Sequence, residues 1–136
     1  MPKFLLFAFL LGFGSAFAAE GPYLYDLLKR EPHRSAWNAM LAGRKGADPW
    51  LARYTATFDG VTIPAERVTV EGRSYLFTSV CQAHNCGSEG NTFYVLFAPD
   101  GRQAWGLYVS GGSRRTWFGD PDAPLRAVLT KRADEG

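Results

Sequence analysis

The chain has 136 residues, a formal net charge of +2, and is 46% hydrophobic and 15% aromatic. A charge this close to neutral excludes the electrostatic footprint of a nucleic-acid or membrane-surface binder, and the length supports one domain with a single modest core. With two cysteines and two histidines, the chain is short of ligands for a structural zinc site, and no cofactor or metal is expected.

The first stretch has the layout of a secretory signal: Lys3 as the positive n-region, Phe4 to Phe13 as the apolar h-region, and Ala16-Phe17-Ala18 as a small-x-small cleavage site. The apolar run is short for a bilayer span and no stop-transfer pattern follows, so residues 1–18 are read as removed, with cleavage after Ala18 or Ala19, leaving a domain over 19–136 with no membrane anchor. Lys3 is the only charge removed, so +2 becomes +1. Export places the two thiols in an oxidising compartment, where they are expected to pair with each other.

Tyr23 to Arg30 carries Tyr23, Leu24, Leu27 and Leu28 at helical spacing, and Pro32 stops it. Ser35 is placed as the N-cap of a second helix in which Ala36, Trp37, Met40 and Leu41 share a face, ending at Gly43. Both are too short to be stable alone, so both must pack on something. Arg44 to Asp48 reads as a loop, and Trp50, Leu51 and Tyr54 form an apolar patch without a firm assignment.

From Asp59-Gly60 onward the pattern changes to strands. Arg67 to Glu71, a turn at Glu71-Gly72-Arg73 and Ser74 to Val80 make a hairpin signature. Thr92 to Ala98 is the strongest strand signal. Pro99-Asp100-Gly101 turns into Gln103 to Ser110, with Trp105, Leu107 and Val109 on one face. Arg114-Arg115 reads as a solvated turn and Trp117-Phe118 as a short strand. Pro124 to Lys131 reads as a closing helix with Leu125, Val128 and Leu129 inward, and Ala133 to Gly136 as a frayed tail. Trp37, Trp50, Trp105 and Trp117 are assigned to the core. Helices first, then hairpin-connected strands, indicate an α+β domain with an antiparallel sheet of about five strands.

Between the two best strands lies Cys81-Gln82-Ala83-His84-Asn85-Cys86, then Gly87-Ser88. Enzyme chemistry fits it poorly. An oxidised Cys81 cannot act as a nucleophile for His84, Cys-x4-Cys is not the redox Cys-x2-Cys, and His33 is the only other histidine. The chain has no Gly-rich phosphate loop, no Ser-His-Asp pattern and no His-Glu-x-x-His. A disulfide closing so small a ring removes only about 2 kcal/mol of unfolded-chain entropy. It joins no distant segments and holds a local shape. That leaves a plain hairpin staple with an incidental histidine, or a preorganised docking loop that loses little entropy on binding.

The loop resembles that of the Ivy family, periplasmic inhibitors of vertebrate (c-type) lysozyme, whose motif reads Cys-Lys-Pro-His-Asp-Cys followed by Gly-Ser. Ala36-Trp37-Asn38-Ala39-Met40 through Gly43, Pro49-Trp50, Pro64-Ala65, Gly106-Leu107 and Thr116-Trp117 fall in a similar order, so the resemblance covers most of the chain after residue 18. It implies an exported, periplasmic protein that is not an enzyme. It also implies that the Cys81–Cys86 loop enters the lysozyme cleft and that His84 meets the two catalytic carboxyl groups. Gln82, Ala83 and Asn85 depart from Lys, Pro and Asp of that motif, which bears on potency and target preference. Dimers occur in that family, so a homodimer is carried as an expectation, although no self-complementary surface is legible. The competing functions are regulation of the cell's own lytic transglycosylases and, from a different class, a periplasmic redox or hydrolytic enzyme.

Overall fold

The computed structural model describes residues 20–43 and 47–136; the expected export signal lies outside the described residues. Helices α1 (Leu24–Leu28), α2 (His33–Ala42), α3 (Pro49–Ala52) and α4 (Tyr54–Thr57) come first. Strands β1 (Val61–Thr62), β2 (Glu66–Val70), β3 (Arg73–Cys81), β4 (Thr92–Phe97), β5 (Ala104–Ser110) and β6 (Arg114–Phe118) follow, and α5 (Ala123–Glu135) closes the chain. All pairings are antiparallel in the order β1-β3-β4-β5-β6, with β2 also on β3. The five expected strands are present, joined by the two-residue β1. No helix among the described residues is long and apolar enough to cross a membrane.

Both faces of the sheet are covered. One parity of β3 to β5, including Leu76, Val80, Phe93, Val95, Phe97 and Tyr108, packs with α1 to α4 around the fully buried Trp37. The other parity, with Tyr75, Phe77, Leu96, Leu107 and Val109, packs against Leu125 and Leu129 of α5. Burial on both faces explains why Ser74 to Val80 and Thr92 to Ala98 read as near-continuous apolar runs. Trp37 lies in the core as expected, whereas Trp50, Trp105 and Trp117 are partly buried at the cluster margins.

The β2–β3 hairpin closes through Glu71 and Gly72 with φ of 49° and 78°, the two left-handed residues of a type I′ turn. Between Thr62↔Val80 and Glu66↔Phe77 the β1–β2 side has one residue more than β3, a bulge centred on Pro64. There the buried Thr78 hydroxyl donates to the Ile63 carbonyl at 2.8 Å, in place of a ladder bond. The unassigned patch becomes the single turns α3 and α4, held by buried Leu51 and Tyr54. Trp50 Nε1 donates to the Tyr108 hydroxyl at 3.0 Å, and that hydroxyl donates to Asp48.

Several boundaries differ from expectation. The first helix stops at Leu28, short of Arg30. The second starts at His33, with Pro32 rather than Ser35 at the cap position. The Glu31 carboxylate accepts from the Ser35 backbone N–H at 3.2 Å, doing from outside what a capping hydroxyl would have done. The tail assigned to Ala133–Gly136 is helical through Glu135. Arg132 pairs with Glu66 and lies over the Phe77 ring at 4.8 Å, Ala133 joins the second cluster, and Asp134 pairs with Arg115. Arg114 and Arg115 are exposed but belong to β6, not to a turn.

The Phe93 ring lies across Gly106, where an added Cβ would come within 2.2 Å of it. Gly106→Ala is therefore expected to cost about 1–3 kcal/mol in chemical denaturation, and an unchanged midpoint would count against this packing. The His33 ring sits edge-on to Phe97 and against Gly101, and its pKa is lowered by burial and then by Arg67. A depressed histidine pKa stabilises the fold above the unfolded value of about 6.5 and loses that contribution as pH falls through the folded value. Denaturation midpoints should drop between pH 7.5 and 5.5, and His33→Gln should flatten that slope.

Candidate functional site

The loop is rooted at the middle of the sheet. Cys81 ends β3 between two neighbours, opposite Val61 of β1 and Thr92 of β4. The β3–β4 ladder continues one pair further, with Gln82 N–H donating to the Asn91 carbonyl at 2.9 Å. Ten residues, 82–91, then leave and re-enter the sheet. The Cys81–Cys86 disulfide closes the first part of this excursion, with the two Cα atoms 5.2 Å apart, and no free cysteine remains among the described residues.

Within the ring, Gln82 to Asn85 form a turn in which Asn85 N–H donates to the Gln82 carbonyl at 2.9 Å. His84 occupies its third position at φ 64°. A single left-handed residue at that place is the mark of a type II turn, whose second position accepts proline readily. Ala83 stands at that second position. Left-handed backbone is uncommon for a residue with a side chain, though histidine is among those enriched there. Ala83 is half-buried, and His84, Asn85 and Cys86 are exposed. The imidazole therefore stands at the outer turn of a closed ring, with two ring nitrogens able to donate or accept.

The six residues singled out in the sequence are brought together, but they do not play equal parts. Gln82 is turned inward. Its Oε1 accepts from Asn91 Nδ2 at 2.8 Å and from Asn85 Nδ2 at 3.4 Å. Four residues outside the predicted set complete the base. Asn91 N–H donates to the Asn85 carbonyl at 2.9 Å, and Asn91 Oδ1 accepts from Gly111 N–H at 2.9 Å. Gly90 lies so close to the Asn85 carbonyl that a Cβ would come within 2.1 Å of it. Gly112, at φ 78°, approaches the Ser88 carbonyl just as closely. Gly111-Gly112 reads in the sequence only as a strand break, because its contact with the loop spans twenty residues.

The acidic residues Glu66, Glu71 and Glu89 do not gather around the loop. Glu71 turns at the start of β3 and Glu89 lies beyond its end, about 25 Å away along a nine-residue strand. Glu66 is paired with Arg132. A groove of about 480 Å³ opens on the α5 side of the loop base between Val61, Ile63, Phe77, Tyr94 and Arg132. Among the described residues no group of three His, Cys, Asp or Glu could hold a metal ion.

Fold and site together define a small α+β domain, an antiparallel sheet covered on both faces, that presents a disulfide-closed loop with an exposed histidine. The family model described as Inhibitor of vertebrate lysozyme (Ivy) matches residues 32–133, and the chain belongs to that family. A Pseudomonas aeruginosa protein named Inhibitor of vertebrate lysozyme is 27% identical over 91% of this chain and 86% of its own length. An Escherichia coli K12 protein of the same name is 28% identical over 80% of this chain and 68% of its own. The family is one of inhibitors and not of enzymes, which sets aside the redox and hydrolytic reading.

The Cys81–Cys86 bond closes a segment that the β3–β4 ladder already anchors, so its loss should loosen the loop alone. A Cys81→Ala/Cys86→Ala variant is expected to lose no more than about 2 kcal/mol of unfolding free energy and to keep its far-UV spectrum. Loss of the cooperative transition would identify the bond as a staple of the whole fold.

Proposed function

We propose that this chain is an exported, periplasmic inhibitor of c-type lysozyme that inserts the 81–86 loop into the enzyme's substrate cleft, with His84 meeting the catalytic carboxyl groups. The observation that carries the reading is His84 itself, exposed at the outer turn of a ring that is closed covalently and braced from within. Family membership supports the target. The signal-like residues 1–18 support export.

Lysozyme is a retaining glycosidase whose two carboxyl groups lie about 5 Å apart, one of them with its pKa raised to about 6. An imidazole fits between two such groups. Protonated, it donates from both nitrogens; neutral, it donates to the carboxylate and accepts from the protonated acid. Occupying that position denies the sugar both its acid and its nucleophile. Because the loop is already ordered, little conformational entropy is lost on docking, and burial at the cleft centre turns directly into affinity. Gln82 hydrogen-bonds within the loop base, so its departure from the family's lysine alters the loop's internal support as well as its charge. Ala83 stands at a turn position where the family's proline would be accommodated.

Inhibition of c-type lysozyme on cell-wall substrate is the direct test. His84→Asn removes the imidazole while keeping a residue that tolerates left-handed backbone. Inhibition is expected to weaken by about 30-fold or more, equivalent to about 2 kcal/mol, with the thermal midpoint unchanged. Inhibition equal to that of the unsubstituted protein would sink the insertion mechanism. Running the same assay on a lytic transglycosylase separates the alternative target: inhibition of that enzyme but not of lysozyme would replace the proposal.

A further inference from the structure

Asn91 engages both its backbone groups and both ends of its side-chain amide at the loop base. Its backbone N–H and carbonyl bind the two ends of the His84 turn, at Asn85 and Gln82, each at 2.9 Å. Its side chain bridges outward, accepting from Gly111 N–H at 2.9 Å and donating to Gln82 Oε1 at 2.8 Å. A second tie runs alongside, with Gly112 N–H donating to the Gly90 carbonyl at 3.0 Å. The orientation of this chain of amides has one solution. Gly111 N–H can only donate, so Asn91 must present its oxygen there and its NH2 to Gln82, which must answer with its own oxygen. That oxygen is also the acceptor for Asn85, the residue after His84.

We infer that Asn91 is a positioning residue: its side-chain amide fixes the His84 turn against the β5–β6 turn and so sets where the imidazole stands relative to the sheet. The disulfide closes the ring and backbone bonds hold it to the stem, and the Gly111–Asn91–Gln82 chain adds the side-chain tie between the ring and the β5–β6 turn. A protein that must place one imidazole between two carboxyl groups needs this added constraint, because a displacement of about 1 Å at a preorganised site already costs most of its effect. This inference rests on the lysozyme reading above for its functional consequence, though not for the loop order it describes.

The test compares Asn91→Ala, Asn91→Asp and Gln82→Ala with the full mature protein. Three readouts are used: the inhibition constant against c-type lysozyme, the thermal midpoint, and backbone 15N order parameters at Ala83 and His84. Asn91→Ala is expected to weaken inhibition about tenfold and lower the order parameters of the turn, with little change in midpoint. Asn91→Asp keeps the acceptor for Gly111, and the Gln82 amide can turn to donate to the second carboxylate oxygen, so most of the inhibition should return. Gln82→Ala removes the same bridge from the loop side and should match Asn91→Ala, which covers the case where the latter fails to fold. Full inhibition by both alanine variants, or a loss that tracks the thermal midpoint and is not restored by Asn91→Asp, overturns the positioning role while leaving the lysozyme reading in place. If the unsubstituted protein does not inhibit lysozyme, that reading fails, and the order parameters alone decide the role: a drop in the alanine variants upholds it, and no drop overturns it.

Discussion

The pairing of β3 with β4 is the constraint on which the rest depends. Six residue pairs from Leu76↔Phe97 to Cys81↔Thr92 bring together the two most apolar strands, and their side chains supply both core clusters. Because the side-chain period is two, a slip of one residue would exchange the two faces. Trp37 and the short helices accept one set of side chains and α5 the other, so only one register satisfies both. That register delivers Cys81 and Thr92 to the same end of the sheet, and the loop starts from a stem that cannot shift.

Rigidity at the tip is obtained in layers. The ladder holds the stem, the disulfide closes the ring, and the Gln82–Asn91–Gly111 chain ties the ring to the next hairpin. Against these stands the left-handed conformation of His84, a strain on the order of 1 kcal/mol that persists because the surroundings leave the turn no alternative. Glycines occupy the points where backbone meets backbone, Gly90 under Asn85 and Gly112 under Ser88. Strain concentrated at an exposed side chain and supported by ordinary hydrogen bonds below it is the arrangement expected of a preorganised contact, as proposed for His84.

Charge serves architecture more than attraction. The ion pairs Arg132–Glu66 and Arg115–Asp134 fasten the end of α5 to the sheet, and Arg126 lies over Trp117 at 4.9 Å. The acidic residues are dispersed. A nearly neutral protein whose described acidic residues form no patch at the loop gains little long-range steering, so the proposed docking would rely on shape and on contacts at the tip.

Much of this was legible in the chain itself. Period-two apolar runs marked β3, β4 and β5, turn residues marked the hairpins, and the spacing of the only two cysteines marked the ring. The loop motif carried the family, because a short covalent ring with a histidine in it is a local feature that needs no tertiary context. What the sequence could not decide are matters of contact across distance. One miss was local: the Glu31 carboxylate, four residues before Ser35, caps the second helix, whose cap position falls at Pro32 and not at Ser35. Pairing with Glu66 and Arg115 extended α5 through a segment that reads as a tail. Asn91, a polar residue at a strand entrance with nothing local to distinguish it, gained its place from a glycine twenty residues away. Local periodicity and covalent spacing are written in neighbouring residues, whereas a hydrogen bond between segments exists only once the sheet has brought them together.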